Sequence, residues 1–430
     1  MKIQNVKGGY DFSPKEQKIR NYINNILRET FEQYGYQSIE TPILCYYDIL
    51  TDKYNKDNDI LKEIYKLSDQ GERKLGLRYD LTVPFAKFIA LNKNNLKLPF
   101  KRFEINKVFR DGPVKIGRDR EFTQCDVDVV GLSDQMIEAE LLCLYIDAFT
   151  KLKIEIIIKY NSRNLMKGLI IESGVSEELV SDTITIIDKI DKLTINELNQ
   201  NFIEIGLEQK QIDLLLKYFN SNLNELNIKF SETDNKDIIN GLQELNKLER
   251  YINKLNLDKY CIFTSSLARG QNYYTGNVFE VYEKNGFLSS AIGAGGRYDK
   301  MITNFINDEN DYPAVGISFG LSPIYEILKN RDEFKSISPV DIYIIPLGTS
   351  IECLKLAKQL RALGIKIDVE MNNRRLKKSL DYANKEKIPY VIILGEDEIK
   401  NNIIEIKDMF NNNSFTIKID DLEKIKEYMI

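Results

Sequence analysis

The sequence predicts an α+β protein in which an antiparallel sheet with flanking helices comes first and a small α/β domain comes last. Residues 100–131 place two runs rich in β-branched and aromatic residues around a basic loop, the pattern of an antiparallel hairpin. Residues 163–257 keep helical spacing throughout, which indicates a helical insertion. Beyond residue 340 strand and helix patterns alternate, which is typical of a parallel or mixed sheet.

The elements before the hairpin follow from capping signals and periodicity. Ser13 can cap a helix, Pro14 fits its first position and Glu16 can close a capping box. We expect this helix to end near Tyr34-Gly35. The next predicted elements are a strand over 37–47 that Pro42 restricts to a sheet edge or interface, a hairpin from 61–67 and 74–79, and a helix over 80–92.

Later elements are read in the same way and define two domains. The first domain continues with a helix (134–151), a strand (153–160), the insertion, strands (260–266, 277–283, 288–293), a helix (297–306), a strand (313–319) and a helix (321–329). We predict a first domain over 1–330, a polar linker over 331–340 and an α/β domain over 341–430.

Composition limits the class of protein. A chain of 430 residues with 43% hydrophobic and 29% charged residues is typical of soluble globular proteins with more than one core. The net charge of −5 gives no overall basic field, so any nucleic-acid contact is local. No apolar leader or membrane-length run is present, and we expect a cytoplasmic protein without a membrane partner. Five scattered cysteines without a CxxC predict buried thiols and no metal site.

Histidine is absent from the chain, as is tryptophan. This excludes imidazole general bases and histidine metal ligands, so the chemistry must use carboxylates, arginines, lysines, tyrosines or bound ions. The abundance of lysine, asparagine and isoleucine makes compositional drift in an AT-rich genome one explanation.

The hairpin carries the first candidate site. Arg110 ends its first strand, and Arg118 and Arg120 lie at the base of the return strand. Three polar residues alternate along the return strand and share one face: Gln124, Asp126 and Asp128. Cations and carboxylates on one face suit a ligand with phosphates at one end and an ammonium at the other. The alternative is that the arginines only pair with Glu104, Asp111 and Glu121.

Two further segments are candidates. In LARGQNYY, Arg269 stands beside Gly270, and Tyr273 and Tyr274 should point to opposite faces if extended, so that one lines a pocket while the other packs. The alternative is a tyrosine-rich structural strand. GAGGRY, from Gly293 to Tyr298, is similar to a phosphate-binding glycine loop but does not match GxGxxG. Glycines at a close backbone crossing are the alternative there.

Taken together, these segments resemble the histidyl-tRNA synthetases, a family of class II aminoacyl-tRNA synthetases. The motifs that carry the resemblance occur in the family's order: KGGYDFSP, ETP at Glu40–Pro42, LRYDLT at Leu77–Thr82, FR…GRDREF…QCDVD, LARGQNYYTG and GAGGRYDKM. The last domain looks like the family's anticodon-binding domain.

The resemblance implies a class II antiparallel sheet, a homodimer formed around Pro42 and a reaction in two steps. L-histidine attacks the α-phosphate of ATP to give histidyl-adenylate, and the histidyl group then passes to tRNA-His. Mg²⁺ is expected on the nucleotide phosphates.

The same resemblance assigns roles to single residues. Arg110 and Arg269 are the implied catalytic and ATP-binding residues, which hold the α-phosphate from two sides, Arg269 where other class II enzymes place a metal ion. The implied histidine-binding residues are Asp80, Thr82 and Gln124 at the ammonium, and Asp128 and Tyr274 at the imidazole with Tyr273 beside them. Arg118 and Arg120 are expected to face the acceptor end of the tRNA.

Several positions depart from the family pattern. Pro323 stands where the third motif has an arginine that contacts ATP, Asp119 replaces a tyrosine, and Gln271 and Asn272 replace leucine and aspartate. Asp80 and Asp128 stand where many bacterial members have glutamate. Either a nearby residue compensates for Pro323 or the chain is a degenerate paralogue. We predict a working enzyme of a divergent subgroup.

Two other functions stay open at this point, a regulatory subunit of ATP phosphoribosyltransferase and a non-catalytic histidine or tRNA sensor. A synthetase without histidine could also be made when charged tRNA-His is scarce, which is the alternative to drift.

Overall fold

The structure, a computed structural model, describes residues 3–51, 60–115, 117–190, 193–269, 273–335, 338, 340–411 and 413–429. It divides into two compact units. The first holds the residues up to Asp11 together with Arg20–Ile327, and the second holds Phe12–Ile19 and Leu328–Ile430. Within the described ranges no helix combines the length and apolar character that crossing a bilayer requires.

The elements up to Leu328 are as follows. The helices are α1 (Pro14–Gln33), α2 (Tyr47–Thr51), α3 (Ile60–Glu63), α4 (Thr82–Asn92), α5 (Met136–Lys151), α6 (Arg163–Glu172), α7 (Val180–Ile187), α8 (Ile195–Glu204), α9 (Gln209–Phe219), α10 (Leu223–Lys229), α11 (Lys236–Lys254), α12 (Asp299–Ile306) and α13 (Leu321–Leu328). The strands are β1 (Gln37–Ser38), β2 (Leu44–Tyr46), β3 (Lys66–Ser68), β4 (Lys74–Leu77), β5 (Phe100–Phe109), β6 (Glu121–Val130), β7 (Ile156–Ser162), β8 (Cys261–Phe263), β9 (Asn277–Glu283), β10 (Gly293–Arg297) and β11 (Ala314–Gly320).

A large, mostly antiparallel sheet organises the first unit. Over the described residues its eight strands lie in the order β1-β5-β6-β11-β10-β9-β7-β8, and β2, β4 and β3 form a smaller sheet. Only the two outer pairs of the large sheet, β1 with β5 and β7 with β8, are parallel among the described strands. The predicted hairpin is confirmed, with Phe100 opposite Val130 and Phe109 opposite Glu121. The predicted fold class is confirmed as well.

The first helix begins as predicted. The Ser13 amide donates to Glu16 Oε2 at 2.7 Å, and the Glu16 amide donates to Ser13 Oγ at 3.4 Å. These two bonds close the capping box and satisfy two amides that the first turn leaves without intrahelical acceptors.

The predicted strand over 37–47 is wrong as a single element. The chain forms β1, leaves the large sheet and enters the smaller sheet as β2. Pro42 has no amide to donate, and the amide of Thr41 donates to the buried carboxylate of Glu104 at 3.0 Å and not to a neighbouring strand. The hairpin predicted from 61–67 is shorter than expected, because residues 60–63 form α3.

The predicted strand over 288–293 is displaced along the chain. The strand is β10, which consists of Gly293-Ala-Gly-Gly-Arg297 and pairs with β9 on one side and β11 on the other. Glycine has low strand propensity, so a local reading places the strand on the apolar residues before it. Pairing on both sides overrides that preference. The glycines thus lie at a close backbone crossing, and they do not form a phosphate loop.

The residues between β7 and β8 are helical, and local signals start several of these helices. Thr194 with Glu197 and Asn222 with Glu225 form capping boxes at α8 and α10.

The second unit contains the remaining elements. They are α14 (Asp332–Lys335), β12 (Ile342–Pro346), α15 (Ser350–Ala362), β13 (Ile367–Val369), α16 (Leu376–Lys385), β14 (Tyr390–Leu394), α17 (Glu396–Lys400), β15 (Ile403–Asp408), β16 (Ser414–Lys418) and α18 (Ile425–Tyr428). The described strands lie in the order β13-β12-β14-β15-β16, parallel for the first three and antiparallel for the last two. The short α14 lies within the predicted linker, of which residues 336, 337 and 339 fall outside the described residues.

Candidate active site

A cavity of about 200 Å³ lies over the central strands of the large sheet. Its lining comes from β6, β10 and β11, from the start of α4 and from the segments that follow β5 and precede β9. All eight residues predicted to bind the small substrates line it: Asp80, Thr82, Arg110, Gln124, Asp128, Arg269, Tyr273 and Tyr274. The structure therefore brings residues that are distant in sequence to one place, while their individual roles stay predictions.

The three polar residues of β6 form one wall of the cavity. Gln124, Asp126 and Asp128 all line it, so the shared face predicted from the period of two is confirmed. Gly316 on β11 lies opposite Asp128, and a Cβ added to Gly316 would lie 1.8 Å from Asp128 Oδ1. Only glycine leaves room for that carboxylate.

Asp128 is held by two buried partners. Arg102 Nη2 lies 2.6 Å from Asp128 Oδ2, and the Tyr298 hydroxyl donates to Asp128 Oδ1 at 2.5 Å. Burial raises the pKa of Asp128, while the Arg102 guanidinium opposes that rise. The carboxylate is therefore fixed in position before any ligand arrives.

Arg110 lies at the cationic end of the cavity. Its guanidinium stacks over the Tyr79 ring at 4.2 Å and the Phe122 ring at 5.0 Å, and its Nε donates to the Tyr79 carbonyl at 3.2 Å. No carboxylate among the described residues forms an ion pair with Arg110. The aromatic rings fix the plane of the guanidinium and leave its charge available to an anion.

Arg269 faces the same space and is anchored on one side. Its Nη1 lies 2.5 Å from Glu280 Oε1 on β9, while its buried Nε has no hydrogen-bond partner within the described part of the chain. Burial lowers the pKa of Arg269, but Tyr274 and Glu280 raise it by more, so that the pKa lies above its usual value and the side chain stays charged. The neighbouring Gly270, Gln271 and Asn272 lie outside the described residues.

The prediction that only one of the two tyrosines lines the cavity is wrong. Tyr273 and Tyr274 both line it, with ring centroids 4.6 Å apart. They lie in a turn before β9, where side chains do not alternate between faces as in a strand. A Cβ added to Gly296 would lie 2.8 Å from the Tyr274 ring, so a glycine at this position of β10 is needed to accommodate the ring.

The other two arginines of the hairpin do not line the cavity. Arg118 pairs with Glu63 at 2.9 Å, and Arg120 pairs with Asp111 at 3.2 Å. The alternative of simple ion pairing therefore holds for Arg120, whose partner Asp111 is one of the three acidic residues named for it, and for Arg118 with a residue outside that set. Both pairs are partly exposed, so they cost little to break.

Asp119, which departs from the family pattern, contacts the residue that precedes Pro323. Ser322 Oγ donates to Asp119 Oδ2 at 3.0 Å and ties the segment before β6 to the first turn of α13. Burial raises the pKa of Asp119. Pro323 also lies in that first turn, where a missing amide has little cost.

Comparison with known proteins identifies the family. Residues 8–324 match the family model described as Histidyl-tRNA synthetase, and residues 341–427 match the Anticodon binding domain. Histidine--tRNA ligase 1 of Bacillus cereus is 44% identical over 426 residues, which cover 99% of each chain. The chain belongs to the histidyl-tRNA synthetase family. The family and the enzyme class predicted from the sequence are thereby confirmed.

Solved structures agree with this assignment. A crystal structure of histidyl-tRNA synthetase from Nostoc sp. PCC 7120 matches with a TM-score of 0.86 and 26% identity, and covers all of both chains. An ATP phosphoribosyltransferase regulatory subunit/histidyl-tRNA synthetase from Bacillus halodurans C shares the fold, with a TM-score of 0.76 at 20% identity over 92% of this chain and 99% of its own. The full-length ligase relatives and the anticodon-binding match do not favour the regulatory alternative.

Sequence reasoning missed four residues of the synthetase site. Arg102 could have been found by counting across the hairpin, which places it opposite Asp128. The others depend on contacts between distant segments, for which the sequence offers no local signal: Glu280, Tyr298 and Ser318.

Proposed function

We propose that this synthetase joins L-histidine to tRNA-His in two steps, through a histidyl-adenylate. The observation that carries the proposal is the polarity of the cavity. Asp80, Asp126 and Asp128 line it together with the cations Arg110 and Arg269. An amino acid that reacts with a nucleotide brings an ammonium, a carboxylate and phosphates, and such a wall can accept all three.

The first step needs no protein general base. The nucleophile is already a carboxylate, so positioning and charge neutralisation do the catalytic work. Arg110 and Arg269 hold the α-phosphate between them as negative charge moves to the leaving pyrophosphate. The orphaned Nε of Arg269 and the absence of an ion pair for Arg110 among the described residues fit this role.

Histidine occupies the anionic wall. Asp80, Thr82 and Gln124 lie at its ammonium. At the two ring nitrogens, the Asp128 carboxylate accepts a hydrogen bond and the Tyr274 hydroxyl donates one. A carboxylate and a phenol suit an imidazole, because both ring nitrogens need partners once buried. Tyr273 packs beside the ring.

ATP arrives with Mg²⁺ on its phosphates. Among the described residues no three carboxylates or cysteines converge as a metal site, so the ion is held chiefly by the nucleotide. The ion neutralises charge on the phosphates. Pro323 removes a cation that contributes on the order of 2 kcal/mol at a triphosphate, and Arg110 takes a larger share of ATP binding.

The second step uses the hairpin tip and the last domain. Arg118 and Arg120 face the acceptor end of tRNA-His, and the domain over 341–430 binds the anticodon. The weak, partly exposed pairs of both arginines can open when phosphates approach.

The enzyme works as a cytoplasmic homodimer. Apolar side chains around Pro42 and on the smaller sheet are exposed in the single chain, and a second copy covers them: Ile43, Leu44, Tyr46 and Leu67.

Histidine-dependent ATP–pyrophosphate exchange, followed by charging of tRNA-His, tests the proposed function. We expect exchange that requires histidine and Mg²⁺ and charging that requires tRNA-His. Pure protein that binds histidine but catalyses no exchange would instead be a sensor. Stimulation of an ATP phosphoribosyltransferase without exchange would establish the regulatory function.

A further inference from the structure

Asp126 is a buried carboxylate that faces the cavity and carries none of the roles assigned above. It lies on β6 between Gln124 and Asp128, and only 4% of its surface is exposed. Its Oδ1 has no hydrogen-bond partner among the described residues. The group therefore presents an acceptor to the cavity that the protein itself does not satisfy.

Ser318 links Asp126 to Gln124. The Gln124 amide nitrogen donates to Ser318 Oγ at 3.2 Å, and the Ser318 hydroxyl also faces the Asp126 carboxyl, where it opposes the rise of that group's pKa. This chain turns the Gln124 carbonyl oxygen away from Ser318, and that oxygen too is buried without a partner in the described structure. The oxygens of Gln124 and Asp126 are thus two hydrogen-bond acceptors on the β6 wall of the cavity that the described residues leave unsatisfied.

Among the described residues no cation forms an ion pair with Asp126. The buried guanidinium of Arg102 lies 2.6 Å from Asp128 and 3.8 Å from Glu104. On the neighbouring strand β5, the residue directly opposite Asp126 is Glu104, a carboxylate of like charge. Burial raises the pKa of Asp126 to about 7 although Arg102 lowers it, so a carboxylate here needs a cation from outside.

We propose that Asp126 is a specificity residue for the amino group of the substrate. Its Oδ1 and the Gln124 carbonyl oxygen accept hydrogen bonds from the α-ammonium, and Ser318 is the positioning residue that holds both acceptors. Asp126 and Asp128 are two residues apart, which is roughly 7 Å along a strand, so that one histidine can reach both with a hydrogen bond from its amino group and another from its ring. This inference rests on the proposed function, because it takes histidine as the ligand.

The test compares how one substitution changes the affinity for two ligands, of which only one carries the amino group. Histidinol keeps the ammonium and the imidazole but has an alcohol in place of the carboxylate, whereas imidazole-propionate is histidine without its amino group. In calorimetric titrations we expect Asp126→Asn to weaken histidinol binding roughly 10- to 100-fold, the effect of one charge-assisted hydrogen bond, and imidazole-propionate binding less than about threefold. The KM for ATP should stay within about twofold, because the phosphates contact the arginines.

Glu121→Gln is the matched control. It neutralises another carboxylate of the same strand, one that lies outside the cavity and pairs with Lys107. It should change neither affinity. An equal loss for both ligands in Asp126→Asn would show a structural role, and unchanged histidinol binding would show no role; either result overturns the inference.

If Asp126→Asn does not fold, wild-type protein and Ser318→Ala still test the inference. Wild-type protein should then bind histidine at least about tenfold more tightly than imidazole-propionate, which differs from it only in the amino group, and Ser318→Ala should reduce that affinity ratio. Equal affinities in the wild type overturn the inference. Loss of exchange activity in the wild type would contradict the proposed function instead, so the two failures are distinguishable.

Discussion

Arg102 and Asp128 form a buried ion pair beneath the cavity, with 2.6 Å between Nη2 and Oδ2 and a side-chain exposure of 0% for Arg102 and 4% for Asp128. The Arg102 guanidinium also stacks over the Phe85 ring at 4.4 Å. Since the pair joins neighbouring strands at one register position, it fixes a carboxylate that lines the cavity.

Removing the Arg102 cation should lower the stability of the fold. We expect Arg102→Met to lower the free energy of unfolding by about 3 kcal/mol, because Asp128 is left buried without its counter-ion. Urea unfolding followed by near-UV circular dichroism measures this. Arg73→Met, which breaks the exposed pair with Asp69, is the control and should cost less than about 1 kcal/mol. Equal effects would mean that the buried pair has no special role.

Arg269 should act in the chemical step and not in histidine binding. Arg269→Ala is expected to reduce ATP–pyrophosphate exchange by at least about 100-fold, the usual effect of losing a group that stabilises transition-state charge. Histidine affinity by calorimetry should stay within about tenfold, since the cation contacts phosphate. Glu280→Gln, which loosens the anchor of Arg269, should give a smaller loss of the same kind. Parallel losses of exchange and histidine affinity would contradict the assigned role.

Gly316 should be essential for histidine binding. In Gly316→Ala the new Cβ would lie 1.8 Å from Asp128 Oδ1, so that the carboxylate must move away from Arg102 and Tyr298. We expect the KM for histidine to rise by more than about tenfold while the KM for ATP changes little, because the clash displaces one charge-assisted contact. Gly71→Ala is the control, since its nearest neighbour would be 3.5 Å away. A normal KM for histidine would show that Asp128 does not contact the substrate.

The pH dependence of stability should report two buried carboxyls. The pKa of Asp126 is raised to about 7 in the folded protein, chiefly by burial, against about 3.9 in an unfolded chain. The folded state therefore binds this proton more tightly. The resulting stabilisation is complete below pH about 4 and is lost as the pH rises through about 7.

Asp126→Asn should flatten the decline in unfolding free energy between those pH values. Glu244, whose pKa burial also raises to about 7, should behave alike in Glu244→Gln. Only the Asp126 variant should raise the KM for histidine, because Glu244 bonds Ser162 and Asn164 away from the cavity. An unchanged pH slope in Asp126→Asn would contradict the raised pKa.

Local rules predict the hairpin and its polar face well. Strand periodicity is a short-range property, so the shared face of Gln124, Asp126 and Asp128 follows from counting residues. The same reasoning fails for Tyr273 and Tyr274, because it assumes an extended backbone where the chain turns. It also fails at β10, where pairing on both sides makes a strand of glycines.

By itself the sequence determined the family, the two-domain order, the helical insertion and the residues that line the cavity, since motifs and periodicity are short-range properties of the chain. Tertiary structure alone decided how those residues are held. Arg102 reaches Asp128 only through the register of the two strands. Glu280 on β9 reaches Arg269 in the segment before that strand. Ser318, which is 194 residues from Gln124 in sequence, lies between Gln124 and Asp126. Burial then raises the pKa of Asp126 and of Asp128, because the cost of ionisation depends on the surrounding protein and not on neighbouring residues in the chain.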